Sequence, residues 1–341
     1  MDKGEHAAAM NAAPAADISF PDASRRLGDL QALLDGVIVG QGELITHLIT
    51  AVFAGGHVLV EGLPGLGKTH LAKALAAALG LHWSRVQCTP DLMPADVTGA
   101  EIYVQATGSF EFRPGPVFAQ FVLVDEINRA TPRTQAALLE AMQERQVTHA
   151  GTTHRLPNPY CVLATQNPIE LEGTYPLPEA QLDRFMFKLT VPFPARESLK
   201  TMLDVSLDAE PADTLQPIAG PDDVLRIAHL CRTVLLGERC KDAAVDLVLA
   251  TQPDAGSGGA AQSARRHIRY GASPRALQAL IRAARVRALF EGRAQVDVDD
   301  LQRVALPVLR HRVLLRLESE LDGLDADSVV RSIIDEWRDR L

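Results

Sequence analysis

The sequence predicts an α/β domain built on a parallel β-sheet, followed by a second domain that is entirely helical. Five strand-like runs alternate with helical patterns, and two of them, FVLV from Phe121 and CVLA from Cys161, are apolar at every position. Strands that are apolar on both faces are typical of parallel sheets covered by helices on both sides. After residue 221 the apolar residues instead follow the i, i+3, i+4, i+7 spacing of amphipathic helices. We therefore expect residues 25–195 to form the α/β domain and residues 221–341 the helical domain.

Two segments flank the α/β domain. Residues 1–24 are predicted to be a flexible N-terminal tail, and residues 196–220 a linker between the domains. The tail carries Asp2 and Glu5 where a secretion signal carries positive charge, and no continuous apolar core follows them. Because polar residues also interrupt the longest apolar stretches, the sequence predicts no membrane-spanning helix. We expect a cytoplasmic protein.

The predicted strands set the order of elements in the α/β domain. In chain order they are HVLVEG from His57, HWSRVQCT from His82, FVLVDE from Phe121, YCVLATQN from Tyr160 and FMFKLTV from Phe185. Two further segments alternate around short turns that contain glycine: AEIYVQATGSFEF from Ala100 and QVTHAGTTHRL from Gln146. Alternation about a tight turn predicts β-hairpins, which are here inserted between the core elements.

The overall charge limits the classes of partner. The 341 residues include 34 Lys and Arg against 43 Asp and Glu, which gives a net charge of -9 at pH 7. A chain with this balance has no bulk attraction for nucleic acid or anionic lipid. The four cysteines form no CxxC pair, and the histidines of the second hairpin, His149 and His154, have no third ligand beside them. Neither set predicts a metal site.

A phosphate-binding loop is predicted between the first strand and the helix that follows it. The segment GLPGLGKT, from Gly62 to Thr69, matches the spacing G-x-x-x-x-G-K-[ST] and leads into an Ala- and Leu-rich helix. Glycines let consecutive backbone N–H groups surround phosphate oxygens, and the start of the helix adds partial positive charge. In such a loop Lys68 neutralises the outer phosphates and the hydroxyl of Thr69 binds Mg²⁺. The residues assigned to this nucleotide site are Gly62, Leu63, Pro64, Gly65, Leu66, Gly67, Lys68, Thr69 and His70.

Two acidic residues follow the buried strand FVLV. Because parallel sheets place ligands at the carboxyl ends of their strands, Asp125 and Glu126 are expected beside the phosphate-binding loop. Asp125 is assigned to the magnesium ion together with Thr69, and Glu126 to orienting or deprotonating the attacking water. The next strand ends at Asn167, where the following proline stops the ladder. The Asn167 amide is therefore predicted at the same edge, where it can hold the water or the γ-phosphate.

In this order, the motifs resemble those of the MoxR family of AAA+ ATPases. The resemblance extends over roughly residues 30–313 and rests on GLPGLGKT, FVLVDEINRA with TQAALLEAMQE, ATQNPIE, LPEAQLDRF and, in the helical domain, GASPRAL. It implies an AAA+ P-loop NTPase core with a five-stranded parallel sheet and two β-hairpin inserts, followed by an all-helical lid domain. It also implies ATP and Mg²⁺ as cofactors and a homo-oligomeric ring, usually a hexamer, with ATP at the subunit interfaces.

The resemblance also implies roles for individual residues. Asn167 matches sensor 1, Arg184 the arginine finger and Arg275 sensor 2. The segment VIVGQ, which contains Val39 and Gly40, corresponds to the region near the adenine. The first hairpin matches the helix 2 insert and the second the pre-sensor 1 insert. Members of this family are thought to remodel, mature or activate partner protein complexes in the manner of chaperones, often with a protein that carries a von Willebrand factor A domain.

Arg275 also stands out from its local chemistry. Ser273 and Pro274 predict the start of a helix, which places Arg275 in the first turn. A cation in that turn opposes the helix dipole by roughly 0.3 to 1 kcal/mol. A bound anion, such as the phosphate of ATP, explains an arginine in this position.

The local chemistry of Arg184 carries less information. The residue lies in the last turn of a short predicted helix, 178–184, where positive charge is favourable. Only the order of the elements marks it as a finger that reaches the active site of a neighbouring subunit. Arg129 and Arg113 are alternatives for that role.

The sequence therefore predicts an ATP hydrolase that remodels a protein partner. A magnesium-chelatase-like motor subunit is one alternative, because such motors share both inserts. A nucleic-acid remodelling ATPase is another, since helicase relatives carry similar hairpins. The second hairpin holds Arg155 but no lysine cluster and the chain is acidic, which disfavours nucleic acid.

Overall fold

A computed structural model of the chain, which describes residues 18–168, 173–204, 215–256 and 259–341, contains one five-stranded parallel sheet. Its strands are β1 (Val58–Glu61), β2 (Trp83–Gln87), β5 (Phe121–Asp125), β8 (Cys161–Gln166) and β9 (Phe187–Thr190), in the spatial order β2-β5-β8-β1-β9. All neighbouring pairs are parallel, so the carboxyl ends of the strands lie at one edge of the sheet. The five predicted strands are confirmed, although the last begins at Phe187 rather than Phe185.

Helices cover both faces of this sheet, as the doubly apolar strands predict. On β1 the side chains of Val58 and Val60 pack into one hydrophobic cluster, and Leu59 between them packs into a second cluster on the other face. All four cysteines are buried and reduced, and they pack as small apolar side chains. The helices around the sheet are α1 (Phe20–Val37), α2 (Gly42–Ala54), α3 (Lys68–Ala78), α4 (Pro94–Thr98), α5 (Pro132–Glu144), α6 (Glu179–Leu182) and α7 (Arg196–Asp204).

The two predicted hairpins are confirmed. The first consists of β3 (Gly99–Val104) and β4 (Ser109–Pro114), and the second of β6 (Gln146–His149) and β7 (Thr152–Arg155). At the tip of the second hairpin Ala150 and Gly151 have φ angles of 47° and 80°, the left-handed pair that closes a two-residue turn. The hairpins contact each other, because the Phe112 ring of β4 stacks on His154 of β7 with 4.0 Å between the ring centroids.

In the described part of the C-terminal region, residues 215–256 and 259–341, the regular structure is helical apart from one small ribbon, β10 (Ile268–Tyr270) with β11 (Leu314–Leu315), which the expectation of an all-helical domain did not include. The cluster beneath α1, α2 and α3 continues into this region, and α11 packs against both α1 and α2. The α/β and helical domains therefore share one core. The helices are α8 (Pro221–Thr233), α9 (Glu238–Ala250), α10 (Gln262–His267), α11 (Pro274–Phe290), α12 (Val298–Leu309), α13 (Leu317–Leu321) and α14 (Ala326–Arg338).

The structure contains helical residues within both predicted flanking segments. Helix α1 begins inside the predicted tail, because the Ser19 hydroxyl caps it by accepting a hydrogen bond from the Asp22 N–H at 3.3 Å. The predicted linker contains α7, and its last residues pack on α3, where the Ile218 N–H donates to the Ala78 carbonyl at 2.9 Å. The rest of the predicted tail, residues 1–17, lies outside the described residues, as do residues 205–214 of the linker and residues 257–258 of the predicted helical domain. No helix in the described ranges is both long enough and apolar enough to cross a bilayer.

Candidate active site

The phosphate-binding loop occupies the turn between β1 and α3, at the carboxyl edge of the sheet. Gly67 precedes α3 with a φ of 74°, a left-handed conformation that favours glycine. A side chain at Gly62 would collide with Val191, whose Cβ lies 2.9 Å from the position that a new Cβ would take. The glycines therefore allow the tight turn that presents the first N–H groups of α3 to phosphate oxygens.

Lys68 folds back over this loop. Its ammonium donates hydrogen bonds to the carbonyl oxygens of Gly62 and Leu63, the latter at 3.2 Å. A phosphate in the loop offers the same ammonium a charged acceptor, and charge-assisted hydrogen bonds are roughly twice as strong as neutral ones. Lys68 is therefore within reach of a bound triphosphate.

The predicted magnesium ligands meet beside the loop. The Thr69 hydroxyl lies 3.4 Å from Oδ2 of Asp125. The other carboxylate oxygen, Oδ1, accepts a 2.6 Å hydrogen bond from the Thr165 hydroxyl, which fixes its orientation. Mg²⁺ prefers oxygen ligands and keeps several waters, so one hydroxyl and one carboxylate next to a phosphate-binding loop fit this ion. Arg85 of β2 also contacts Oδ2 of Asp125, at 2.7 Å, through a side chain that is 46% exposed.

Glu126 has a left-handed backbone with a φ of 56°, which is uncommon for a residue that carries a side chain. Its N–H donates a 2.9 Å hydrogen bond to the Thr165 hydroxyl, so this one buried hydroxyl orients both Asp125 and Glu126. The Glu126 carboxylate accepts from Gln87 at 3.1 Å and lies 3.4 Å from Nε of Arg129. Arg129, one of the alternative fingers, is therefore an ion-pair partner within its own site.

The strand register places Asn167 at the same edge. Glu61 of β1 pairs with Gln166 of β8, and the Gly62 N–H donates to the Gln166 carbonyl at 3.3 Å. Asn167 is the next residue and is almost fully buried. It therefore lies beside the first residue of the phosphate-binding loop, as predicted.

The segment that contains Val39 and Gly40 also contacts the loop. The next residue, Gln41, donates a hydrogen bond to the Leu66 carbonyl at 3.4 Å. His70 lies in the first turn of α3 and is partly buried. The structure thus brings the predicted adenine, phosphate and magnesium residues together at one edge of the sheet.

The two remaining predicted arginines lie at the opposite edge. Arg184 and Arg275 line one cleft of about 240 Å³ together with Gly56 and His57, which directly precede β1. Because β1 is four residues long, the cleft and the phosphate-binding loop are separated by roughly 13 Å of strand. The structure therefore brings Arg275 together with Arg184 and not with the loop of its own chain. Ser273 does cap α11 by accepting the Arg275 N–H at 3.2 Å, so the predicted helix start is correct.

The cleft at this amino edge, which we call the arginine cleft, is strongly cationic. Burial lowers the pKa of Arg145, and the positive charge of Arg282 in the same cleft lowers it further. An excess of positive charge in a cleft attracts an anionic ligand. Among the described residues that line the cleft, one carboxylate, that of Asp183, faces the guanidinium groups of Arg145, Arg184, Arg275, Arg282 and Arg312.

His57 supports the cleft structurally. Its Nδ1 accepts a hydrogen bond from the Val162 N–H at 3.0 Å, and its Nε2 donates to the Met142 carbonyl at 3.2 Å. Burial lowers the pKa of His57 to about 4, so the ring stays neutral at pH 7. This histidine therefore links β1, β8 and α5 and adds no charge to the cleft.

Comparison with known proteins identifies the family. Residues 57–187 match the model for the ATPase family associated with various cellular activities (AAA), and residues 260–333 match an AAA lid domain. Chaperone MoxR1 of Mycobacterium tuberculosis is 40% identical over 298 residues, which cover 87% of this chain and 78% of that protein. Protein MoxR of Paracoccus denitrificans is 35% identical over 318 residues, which cover 88% of this chain and 91% of that protein. The chain belongs to the MoxR family of AAA+ ATPases.

A solved structure agrees with this membership of the MoxR family. The crystal structure of a protein from Cytophaga hutchinsonii, provisionally assigned as an ATPase, is 40% identical and has a TM-score of 0.85, with 93% of this chain and 96% of that chain covered. The predicted family and fold class are confirmed, and the chain is an ATP-hydrolysing P-loop enzyme. The names of the relatives favour the MoxR expectation over the chelatase and nucleic-acid alternatives.

Two residues of the MoxR-family site were absent from the sequence prediction. Thr165 carries a usable signal, because it is a polar residue inside the otherwise apolar strand CVLAT, directly before the sensor motif. Arg85 carries a weaker signal. It lies on the edge strand β2, where charged side chains are ordinary, and only the register with β5 brings it to Asp125.

Proposed function

We propose that this MoxR-family ATPase works as a homo-oligomeric ring of six subunits, in which ATP and Mg²⁺ bound to one subunit are contacted by arginines of the next. One observation carries the proposal. The phosphate-binding loop and Glu126 lie at one edge of the sheet, whereas Arg184 and Arg275 line a cleft at the other edge. This separation supports a role for these arginines at the phosphate-binding loop of a neighbouring chain.

Within one subunit, each residue at the carboxyl edge has a defined task. The loop from Gly62 to Thr69 binds the triphosphate, and Asn167 and Glu126 orient the attacking water. Glu126 takes up a proton from that water. At the same time the water oxygen bonds to the γ-phosphorus, and the bond between the γ-phosphorus and the ADP oxygen breaks. Thr69 and Asp125 hold Mg²⁺, which when bound neutralises charge on the β- and γ-phosphates.

The neighbouring subunit contributes the arginine cleft. In this arrangement the guanidinium of Arg184 stabilises the charge that develops on the transferred phosphoryl group, an effect worth about 10³ to 10⁵ in rate for such fingers. Nε of Arg184 is buried without a hydrogen-bond partner among the described residues, so the guanidinium in this position does not use all of its donors. Arg275, in the first turn of α11, is exposed and supports the same phosphate from the same side.

The substrate of the motor is proposed to be a cytoplasmic protein complex. The relative in Mycobacterium tuberculosis is named a chaperone. The first hairpin of this chain exposes three large apolar side chains, Ile102, Tyr103 and Phe110, and exposed apolar groups of this size favour contact with another protein. A partner with a von Willebrand factor A domain is the specific candidate that we propose.

A subunit-mixing experiment tests the arrangement of the active site. Glu126→Gln subunits lack the group that activates water but present Arg184, and Arg184→Ala subunits have the opposite defect. Each variant alone should hydrolyse ATP at least about 10³-fold more slowly than the unmodified protein. A mixture should recover activity, because some interfaces combine an intact Glu126 with an intact Arg184. If mixed rings form and stay inactive, Arg184 does not act between subunits.

The Glu126→Gln variant also tests the nature of the client. A ring that binds ATP without hydrolysing it should retain its client, so affinity purification in the presence of ATP should recover a protein partner. A Lys68→Ala variant, which does not hold the phosphates, is the matched control and should lose that partner. Recovery of nucleic acid with no protein would contradict a chaperone function.

A further inference from the structure

Arg312 follows α12 and is buried far from the nucleotide, yet its guanidinium is fully hydrogen-bonded to the segment that carries Arg184. Its side chain is 2% exposed. Nε donates to Oδ1 of Asp183 at 2.9 Å, Nη2 to the carbonyls of Asp183 at 3.2 Å and Phe185 at 2.5 Å, and Nη1 to the carbonyl of Met186 at 3.1 Å and to that of Val308. All five N–H donors of the guanidinium are thereby used.

These contacts surround Arg184 without touching its side chain. Residues 183, 185 and 186 are all held by Arg312, so the backbone on both sides of Arg184 is fixed. Among the described residues, the Arg184 side chain has one hydrogen bond, from Nη1 to the Leu139 carbonyl at 3.0 Å. The direction in which Arg184 points therefore depends on a residue of the helical domain.

The carboxylate of Asp183 extends the same arrangement to Arg275. It accepts hydrogen bonds from the Ser273 hydroxyl at 2.9 and 3.1 Å, and Ser273 is the residue that caps α11. Nη1 of Arg275 lies 3.8 Å from Oδ2 of Asp183. Because Arg312 donates to Asp183 at closer range, the carboxylate is balanced chiefly by Arg312, and Arg275 keeps its charge for a ligand.

Holding the two domains together would not by itself require a buried arginine at this position. Burying an arginine is costly unless every donor is paired, and well-packed apolar residues usually stabilise such a position as well or better. An arginine here holds three carbonyls, those of residues 183, 185 and 186, and the Asp183 carboxylate, beside Arg184 and the start of α11. An apolar residue could fill this space, but it could not hold these oxygen atoms with directed hydrogen bonds as the guanidinium does.

We propose that Arg312 is a positioning residue for catalysis between subunits: it holds the segment 183–186 and the start of α11 so that Arg184 and Arg275 face the nucleotide of the neighbouring subunit. The inference rests on the proposed trans arrangement. It makes the helical domain a determinant of the neighbour's hydrolysis rate. A displacement of about 1 Å at a catalytic group lowers a rate by about 100-fold, so a small change at Arg312 should have a large effect.

The test uses Arg312→Lys, which keeps the charge and shortens the hydrogen-bonding reach, and Arg312→Gln. Alone, Arg312→Lys should lower kcat by about 100-fold with little change in ATP affinity. Mixed with Glu126→Gln subunits, which supply a correctly placed Arg184, it should regain activity. Mixed with Arg184→Ala subunits it should stay inactive, because neither partner then supplies a working finger.

Opposite results overturn the proposal. If Arg312→Lys subunits restore activity to Arg184→Ala subunits, Arg184 of the Arg312→Lys subunit is still correctly placed. If Glu126→Gln subunits do not restore activity to Arg312→Lys subunits, the defect of Arg312→Lys lies in its own nucleotide site or in its folding. Should Arg312→Gln not fold, Arg312→Lys and Asp183→Asn, which keeps the shape of its side chain, decide the question by the same mixtures. If the reference mixture of Glu126→Gln with Arg184→Ala is itself inactive in mixed rings, the trans arrangement fails and this inference fails with it.

Arg310 provides a matched control in the same turn. Its guanidinium contacts Asp327 and donates to the Thr190 hydroxyl at 2.9 Å, without contacting Asp183. Arg310→Gln therefore removes hydrogen bonds between the helical domain and β9, as a substitution of Arg312 does, but it leaves the segment 183–186 in place. It should restore activity to Arg184→Ala subunits, whereas Arg312→Lys should not.

Discussion

The Thr165 hydroxyl orients both acidic residues of the candidate site, Asp125 and Glu126. It donates to Asp125 at 2.6 Å and accepts the Glu126 N–H at 2.9 Å, and it is fully buried. Glu126 has a left-handed backbone, a conformation that persists only where the surroundings hold it. One hydroxyl thus fixes the direction of both the proposed metal ligand, Asp125, and the proposed general base, Glu126.

Thr165→Val, which has the same shape but no hydroxyl, tests this dependence. It leaves the Glu126 N–H and one Asp125 oxygen without their partner, at a cost of about 1–3 kcal/mol for a buried donor. We expect kcat for ATP hydrolysis to fall by about 100-fold, measured under saturating ATP and Mg²⁺. Thr165→Ser keeps the hydroxyl and should retain most of the activity. Full activity in Thr165→Val would mean that the Glu126 backbone is held by other contacts.

Individual residues differ in how much the sequence reveals about them. Lys68, Thr69 and Asp125 are predictable because their spacing relative to a strand and a helix fixes their position. Arg85 is not, because its contact with Asp125 depends on the lateral pairing of β2 with β5, which no local pattern encodes. The role of Arg312 could not be predicted from the sequence for a similar reason. All the hydrogen-bond acceptors of its guanidinium except the Val308 carbonyl lie at least 126 positions away along the chain.

At the scale of elements, periodicity and turn chemistry were sufficient for the sheet and both hairpins. Continuous apolar runs mark β5 and β8, and the Ala-Gly tip at residues 150–151 marks the second hairpin. The ribbon of β10 and β11 escaped prediction because strands of two or three residues show no period. The start of α1 carried a signal, Ser19 followed by a proline near the first helical position, but the Ala-rich segment before it obscured the boundary.

The element β9 explains why Arg184 lies where it does. In a parallel sheet the residues just before a strand lie at the amino edge, and Arg184 precedes β9 by three positions. Once the sheet is known to be parallel, the order of elements along the chain therefore predicts that Arg184 lies at the amino edge. Arg275 is different, because it reaches the same cleft through the packing of α11 against distant elements such as α1 and α2 and through the contacts of Ser273 and Arg275 with Asp183. Contacts between distant elements of this kind require the three-dimensional structure.

At the scale of the whole molecule, one hydrophobic core joins the sheet to the helical domain. It contains Val58 of β1, Leu71 of α3 and Leu280 of α11, all almost fully buried. A shared core of this kind couples the stability of its two parts, because neither can separate without exposing apolar surface of the other. The same coupling allows a residue of the helical domain, Arg312, to hold a segment of the α/β domain.

The two tryptophans of the chain make this coupling measurable. Trp83 lies on β2 at the sheet edge, and Trp337 of α14 is buried in the helical domain with its Nε1 donating to the Ala243 carbonyl at 2.9 Å. Trp337→Phe removes that hydrogen bond, at a net cost of about 0.5–1.5 kcal/mol, and buries less apolar surface. In this variant we expect Trp83 fluorescence and far-UV circular dichroism to report the same, lowered denaturant midpoint. Trp83→Phe is the reciprocal control, in which Trp337 fluorescence should follow the circular dichroism. A Trp83 midpoint that stays at its unperturbed value while the helical signal is lost earlier would show two independently folding domains.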